Sequence, residues 1–98
     1  MLKAQLIILQ ILVREDRWMY GLEIIAASGG KLGRGDLYIY LDVLQDQNLV
    51  QSRKETDEEA AKHPKDPNRH KLYRITEGGQ RSLAEEESAG LELSPQLT

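Results

Sequence analysis

The chain has 98 residues, no cysteine and a formal net charge of −3, with 40% of its residues hydrophobic and 30% charged. This length fits one small domain, and the balance of apolar and charged residues is typical of a folded chain rather than a disordered one. The lack of cysteine excludes disulfides, cysteine-based zinc sites and thiol nucleophiles.

The first apolar stretch predicts an amphipathic helix, because leucine and valine recur at spacings of four, three and four residues from Leu2 to Val13. The stretch is too short to span a bilayer, and charged residues follow it where a signal-peptide cleavage site would lie. We therefore expect a cytoplasmic protein that does not enter a membrane. Small domains leave apolar surface uncovered, so we also expect a homodimer, formed through the region of Leu2, Leu6, Leu9 and Leu83.

A second helix is predicted from Tyr20 to Ser28. Gly29 and Gly30 follow it, and glycine permits the left-handed conformation that ends many helices. Trp18, Met19 and Tyr20, at the junction of the first two helices, are interpreted as a hydrophobic staple for this helix, and the alternative is the edge of an effector pocket.

A third helix is predicted from about Leu37 to Gln47, with Asp36 as its N-cap and Asn48 as a left-handed C-terminal residue. Its predicted core face has a spacing of four and three residues and consists of Leu37, Leu41 and Leu44.

The second half of the chain predicts two short strands, Leu49 to Arg53 and Leu72 to Ile75. Residues 56–69 between them are polar and contain two prolines, so we expect a long, mobile loop without regular structure. Thr76 is predicted to cap a fourth helix that fades towards Gly90. The expected organisation is thus one domain over residues 1–89 and a frayed tail over residues 90–98.

The predicted order is three helices, a strand, a long turn, a strand and a last helix. This order indicates a mostly helical α+β fold, the winged helix-turn-helix, with three N-terminal helices, a two-stranded wing and a C-terminal helix. In that fold the third helix enters the major groove of DNA and the wing reaches the backbone or the minor groove.

Three segments resemble the PadR family of bacterial winged-helix regulators. Residues 19–25, Met-Tyr-Gly-Leu-Glu-Ile-Ile, are similar to the family's Met-His-Gly-Tyr-Glu-Ile. Residues 32–41 and 48–50 follow the family's Leu-Ser-Pro-Gly-Ser/Thr-Leu-Tyr-Pro-Ala-Leu and Gly-Leu-Val, and residues 73–79 follow Tyr-Arg-Leu-Thr-Glu-x-Gly. The resemblance covers roughly residues 4–86 and implies a dimeric, sequence-specific DNA-binding transcriptional regulator, most often a repressor.

The chain departs from the family pattern near the surface expected to read DNA. Gly33 and Arg34 replace the family serine and proline, Asp36 replaces a small hydroxyl residue, and Ile39 and Tyr40 replace a proline and an alanine. The family also continues into further C-terminal helices used for dimerisation, whereas little chain follows residue 87 here. The chain therefore resembles a minimal or divergent member.

Basic side chains are concentrated in residues 62–76, which carry five basic residues and one acidic residue. Local positive charge provides phosphate contacts even where the net charge is negative. For each candidate an alternative remains open: a solvated charge for the basic residues, a helix cap for Asp36 and internal packing for the tyrosines. The candidate DNA-binding residues are Lys31, Arg34, Asp36, Tyr38, Ile39, Tyr40, Lys62, Lys65, Arg69 and Lys71.

The sequence does not indicate an enzyme. His63 and His70 have neither the spacing of a zinc pair nor a nucleophile beside them. The glycines of residues 29–35 are not preceded by a strand or followed by the Gly-Lys-Ser/Thr of a phosphate-binding loop. We expect no metal and no cofactor, and a small-molecule effector is not indicated. The alternative function is a winged-helix module that binds protein, such as an anti-repressor or adaptor, because the chain is acidic and Ile39 and Val43 are expected to be exposed.

Overall fold

The structure, a computed structural model, describes residues 1–62 and 71–96. Five helices and three strands follow one another in the order expected of a winged helix-turn-helix. Their bounds are α1 Lys3–Glu15, β1 Met19–Tyr20, α2 Gly21–Ala27, α3 Arg34–Asp46, β2 Val50–Lys54, α4 Asp57–Lys62, β3 Lys71–Ile75 and α5 Glu77–Gln96.

The strands form one antiparallel sheet in the order β1-β3-β2. The two predicted strands are confirmed within one residue at each end, but the sheet has three strands rather than two. The additional strand, β1, pairs Met19 with Tyr73 and Tyr20 with Leu72. Residues 18–20, interpreted from the sequence as a helix staple, therefore join α1 to α2 along the edge of the sheet.

The core lies between the inner faces of α1, α2 and α3 and one face of the sheet. Leu37, Leu41 and Leu44 are fully buried, which confirms the predicted core face of α3. Truncation of such leucines typically costs about 2–5 kcal/mol. These leucines hold α3 against the core through its inner face, and the opposite side of the helix is exposed.

The predicted left-handed residues are also confirmed. Gly29 and Gly30 have φ of 65° and 88°, and Asn48 has φ of 62°. The prediction that Asp36 caps α3 is wrong: the N–H of Leu37 donates to the carbonyl of Gly33 at 2.9 Å, so Gly33 is the N-cap and Asp36 lies in the first turn. A carboxylate there still stabilises the helix through its dipole.

Residues 57–62 form helix α4, where we expected no regular structure. Thr56 and Glu59 form a capping box: the N–H of Glu59 donates to Thr56 Oγ1 at 3.2 Å, and the N–H of Thr56 donates to Glu59 Oε1 at 2.8 Å. This reciprocal pairing satisfies two amides at the helix start. The remainder of the predicted loop, residues 63–70, lies outside the described residues.

Helix α5 begins as predicted, because Thr76 Oγ1 accepts a hydrogen bond from the N–H of Gly79 at 2.9 Å. The helix continues to Gln96, beyond the predicted end near Gly90. A single glycine lowers helix stability by about 1 kcal/mol without ending the helix.

The predicted dimer region requires a correction. Leu9 is fully buried and Leu83 is 3% exposed, and both belong to the core of this chain. They are covered internally because α1 packs against α5, so they are unavailable to a second copy. Leu2 is 58% exposed and Leu6 is half-buried. Within residues 1–62 and 71–96, no helix is long and apolar enough to cross a membrane.

Candidate nucleic-acid interface

The start of α3 presents an open, positively charged helix end. Lys31 and Arg34 are exposed, and among the described residues neither has an ion-pair partner. A side chain built at Gly33 or Gly35 would meet nothing within 4 Å, so the backbone here is uncovered. The first amides of a helix lack internal partners and attract anions. Asp36, also exposed, opposes this attraction in part.

The exposed side of α3 is apolar at its centre. Ile39 is 62% exposed, Tyr38 40% and Val43 36%, as predicted for residues outside the core stripe. Tyr40 is half-buried and packs against the core, which favours the packing interpretation for this residue. Tyr38 is partly exposed and partly packed inside the fold. The end of its ring contacts Gly21 so closely that a Cβ added at Gly21 would lie 2.8 Å from Tyr38 Cζ.

Two arginines of the β2–β3 hairpin are neutralised within the fold. The Arg53 guanidinium forms two bonds to the Glu59 carboxylate, at 2.8 and 2.9 Å, and lies 5.0 Å from the ring centroid of Trp18. Arg74 donates to Asp16 Oδ1 at 3.1 Å. These contacts fix α4 and the end of α1 against the sheet, so these two arginines are engaged structurally.

Two lysines at the far end of the same hairpin have no such partners. Lys54 and Lys71 are paired directly across β2 and β3, both are exposed, and neither has a carboxylate partner within the described part of the chain. Like charges directly opposite each other in a sheet are destabilising. We call this pair the lysine tip. Lys71 was predicted; Lys54 was missed because the strand register that opposes the two is not visible in the sequence.

The lysine tip lies on the side of the sheet that faces α3. Side chains alternate between faces along a strand, so Lys54 shares a face with Ser52, and Lys71 with Tyr73. Ser52 Oγ donates to Gln45 Oε1 of α3 at 2.7 Å. Burial, with the nearby Tyr38 and Asp42, raises the pKa of Tyr73 to about 12, so its phenol stays neutral.

The predicted site residues therefore fall into separate groups. Lys31, Arg34 and Asp36 lie at the start of α3, with Tyr38 and Ile39 on its exposed side; Lys71 lies in the lysine tip, and Lys62 is exposed at the end of α4. Lys65 and Arg69 lie outside the described residues, as do His63 and His70. In the described part of the chain, no three acidic or histidine side chains are grouped to hold a metal ion.

Residues 8–85 match the model of the transcriptional regulator PadR-like family. The chain belongs to this family. The resemblance inferred from the three motifs is thus confirmed, and with it the function: the protein is a DNA-binding transcriptional regulator with a winged-helix fold. No curated protein matches the sequence.

Solved PadR structures share this fold over nearly the whole chain. A PadR family transcription regulator from hypervirulent Clostridium difficile is 22% identical, with a TM-score of 0.73 over 95% of this chain and 92% of that one. A PadR-like transcription factor from Bacteroides fragilis is 20% identical, with a TM-score of 0.74 over 96% and 85%. A PadR family regulator from Eggerthella lenta is 22% identical, with a TM-score of 0.68 over 92% and 76%.

The family and these solved structures are named as transcriptional regulators and not as enzymes. The alternative of a protein-binding module receives no support from the comparisons.

Proposed function

We propose that this PadR-like protein acts in the cytoplasm as a homodimer that binds operator DNA and represses transcription. Helix α3 enters the major groove, and the hairpin holds the adjacent phosphates. The observation that carries the proposal is the lysine tip: Lys54 and Lys71 stand opposite each other, exposed and without carboxylate partners in the described structure, on the α3 side of the sheet. Phosphates of a bound duplex would relieve their repulsion.

Phosphate contacts have to come from local groups, because the chain as a whole carries a net charge of −3. We assign them to Lys31 and Arg34 at the open start of α3 and to the basic residues of the wing. Each phosphate neutralised releases counterions, so binding weakens steeply with salt. The proposed wing contacts are Lys54, Lys62, Lys65, Arg69 and Lys71.

Base contacts are assigned to the exposed side of α3, where Tyr38 and Ile39 face outward. Tyr40 is half-buried and is assigned a supporting contact at the edge of the interface. Asp36 acts mainly on the helix dipole, and its carboxylate is also able to accept from the amino group of cytosine.

The dimer is proposed to form through the apolar side chains exposed at the two ends of α1. Leu2 is 58% exposed and Val13 39%, and both lie outside the core. A two-fold dimer places two recognition helices at half-sites about one helical turn apart, and occupancy of a promoter then blocks transcription. We expect Leu2→Glu to shift the protein towards monomer in sedimentation equilibrium without unfolding it. A Leu2→Glu variant as dimeric as the wild type would place the interface elsewhere.

The test of function is fluorescence anisotropy with a labelled duplex from the region upstream of the protein's own gene and a scrambled duplex, at two salt concentrations. We expect preference for the upstream duplex and weaker binding at high salt. Absence of binding to either duplex at low salt would contradict the proposal.

A matched pair of variants tests the start of α3. Arg34→Ala removes an exposed cation at the helix end, whereas Arg81→Ala removes an exposed arginine of α5. We expect Arg34→Ala to weaken binding to both duplexes by the same factor and to lower the slope of log affinity against log salt concentration by about 1. We expect Arg81→Ala to leave binding unchanged. Equal effects of the two variants would remove Arg34 from the interface.

A further inference from the structure

The side of α3 opposite its buried leucines carries no side-chain hydrogen-bond donor. At 100° per residue, five exposed residues point away from the core stripe of Leu37, Leu41 and Leu44. We call this set the outer face. Its side chains offer methyl groups at the centre and carboxylate oxygens around them, and it consists of Asp36, Ile39, Asp42, Val43 and Asp46.

This chemistry restricts which base edges the outer face is able to recognise. Guanine presents two acceptors, N7 and O6, in the major groove, and these need a donor such as arginine or lysine. A carboxylate placed against them is repelled, and a methyl group gains nothing. Cytosine and adenine present amino groups that a carboxylate accepts from, and thymine presents a C5-methyl group that suits an apolar side chain.

The most exposed part of the outer face is the apolar part. Ile39 is 62% exposed and Val43, one turn further on, is 36% exposed. Both stand outside the core of this chain, so neither is needed to fill its interior. Burial of their methyl groups against DNA would therefore contribute favourable free energy to binding without affecting the stability of the free protein.

We propose that Ile39, supported by Val43, reads the C5-methyl groups of thymine in each half-site, and that guanine is excluded from the bases this face contacts. The inference rests on the proposed function, in which α3 occupies the major groove. Affinity comes from the cations at the start of α3 and in the wing, while the outer face selects among sequences.

The test begins with a pool of randomised duplexes from which the purified protein retains its preferred sites. The retained sites should share thymines in both half-sites. Replacement of those thymines by uracil removes only the C5-methyl groups and should weaken wild-type binding about fourfold for each contacted methyl.

The variant Ile39→Ala distinguishes a methyl contact from a change in DNA shape. Its affinity for the thymine duplex should fall, and uracil should then have little further effect at the position Ile39 contacts. Gln51→Ala, an exposed residue of β2, is the control and should keep the full uracil effect. Thermal unfolding confirms that both variants are folded, which we expect because both positions are exposed.

The inference would be overturned by a uracil effect of equal size in the wild type and Ile39→Ala, by no uracil effect in the wild type, or by retained sites whose shared bases are guanines on both strands. Failure of the protein to retain any duplex would instead contradict the proposed function, so the two failures are distinguishable.

Discussion

The two ends of the β2–β3 hairpin are built on opposite principles. At the end next to α3 and α5 Val50 faces Ile75, both are buried, and the N–H of Thr76 donates to the carbonyl of Leu49 at 3.1 Å. At the other end Lys54 faces Lys71, and both are exposed. Within one hairpin, the buried Val50–Ile75 pair thus stabilises the fold, whereas the repulsion between Lys54 and Lys71 destabilises it. The difference is the one expected if the lysine tip binds phosphate, as proposed above.

The largest effect on stability is expected at the buried end of the hairpin, from Gly79→Ala. A Cβ at Gly79 would overlap the carbonyl oxygen of Leu49 and lie 2.7 Å from Ile75 Cγ1. Because the first neighbour is backbone, the clash has to move α5 or the hairpin. We expect a loss of about 2–3 kcal/mol in the free energy of unfolding and a melting temperature lower by about 10–20 °C, measured by circular dichroism.

The neighbouring glycine provides the control. At Gly78 a new Cβ would lie 3.4 Å from the carbonyl oxygen of Asn48, which is close to ordinary contact. Alanine also has the higher helix propensity, so Gly78→Ala should leave stability within about 0.5 kcal/mol of wild type. Equal destabilisation by the two variants would show that close packing at residue 79 is not the cause.

An intermediate effect, on binding rather than stability, is expected at the lysine tip. The double variant Lys54→Ala/Lys71→Ala should bind specific and scrambled duplexes more weakly by the same factor, with the salt slope of affinity lowered by about 2. Because the cross-strand repulsion is removed, stability should rise by about 0.5 kcal/mol. Anisotropy titrations at several salt concentrations measure the first effect and chemical denaturation the second.

Arg74 is the matched comparison for the lysine tip, since it lies on the same strand but donates to Asp16. Arg74→Ala should change the salt slope less than Lys71→Ala does. If both single variants lower the slope equally, the ion pair with Asp16 does not keep Arg74 from DNA.

The smallest effect is expected at Glu59, which joins α4 to the hairpin. Bonds from Arg53 and from the N–H of Thr56 lower the pKa of this carboxyl from 4.5 to about 2. A group whose pKa is lowered on folding contributes stability above its unfolded value and loses that contribution as the pH falls through its folded value. The stability difference between wild type and Glu59→Gln should therefore be full above pH 5 and shrink between about pH 4.5 and 2. A difference that does not change over this range would contradict the pairing.

The fold was predictable because the three sequence motifs of the family resemblance are also the segments that pack against one another. Gly21 of the first segment meets Tyr38 of the second, and Gly79 of the third lies against Leu49 of the second. The leucines of α3 followed from helical periodicity alone. The capping box of Thr56 and Glu59 was visible in the sequence as well, but the charge around it was interpreted as a loop.

Features that depend on pairing between distant residues were not predictable. A strand of two residues, β1, has no periodicity to detect, and the opposition of Lys54 and Lys71 depends on the strand register. The stripe on α1 indicated burial but not its partner, so Leu9 was assigned to contact with a second copy although it lies in the core of this chain. Among the proposed contacts on α3, Tyr38 follows the family pattern, whereas Ile39 and Tyr40 depart from it, so the resemblance implies no role for these two.

The contact between Gly21 and Tyr38 has a consequence for how such regulators diverge. A larger residue at position 21 would displace the Tyr38 ring, which is partly exposed on α3. A mutation in α2 would thereby reposition an aromatic group of α3, the helix proposed to enter the major groove, although α2 itself makes no proposed DNA contact. Among relatives, positions 21 and 38 should accordingly change as a pair, with a smaller residue at 38 accompanying the loss of glycine at 21.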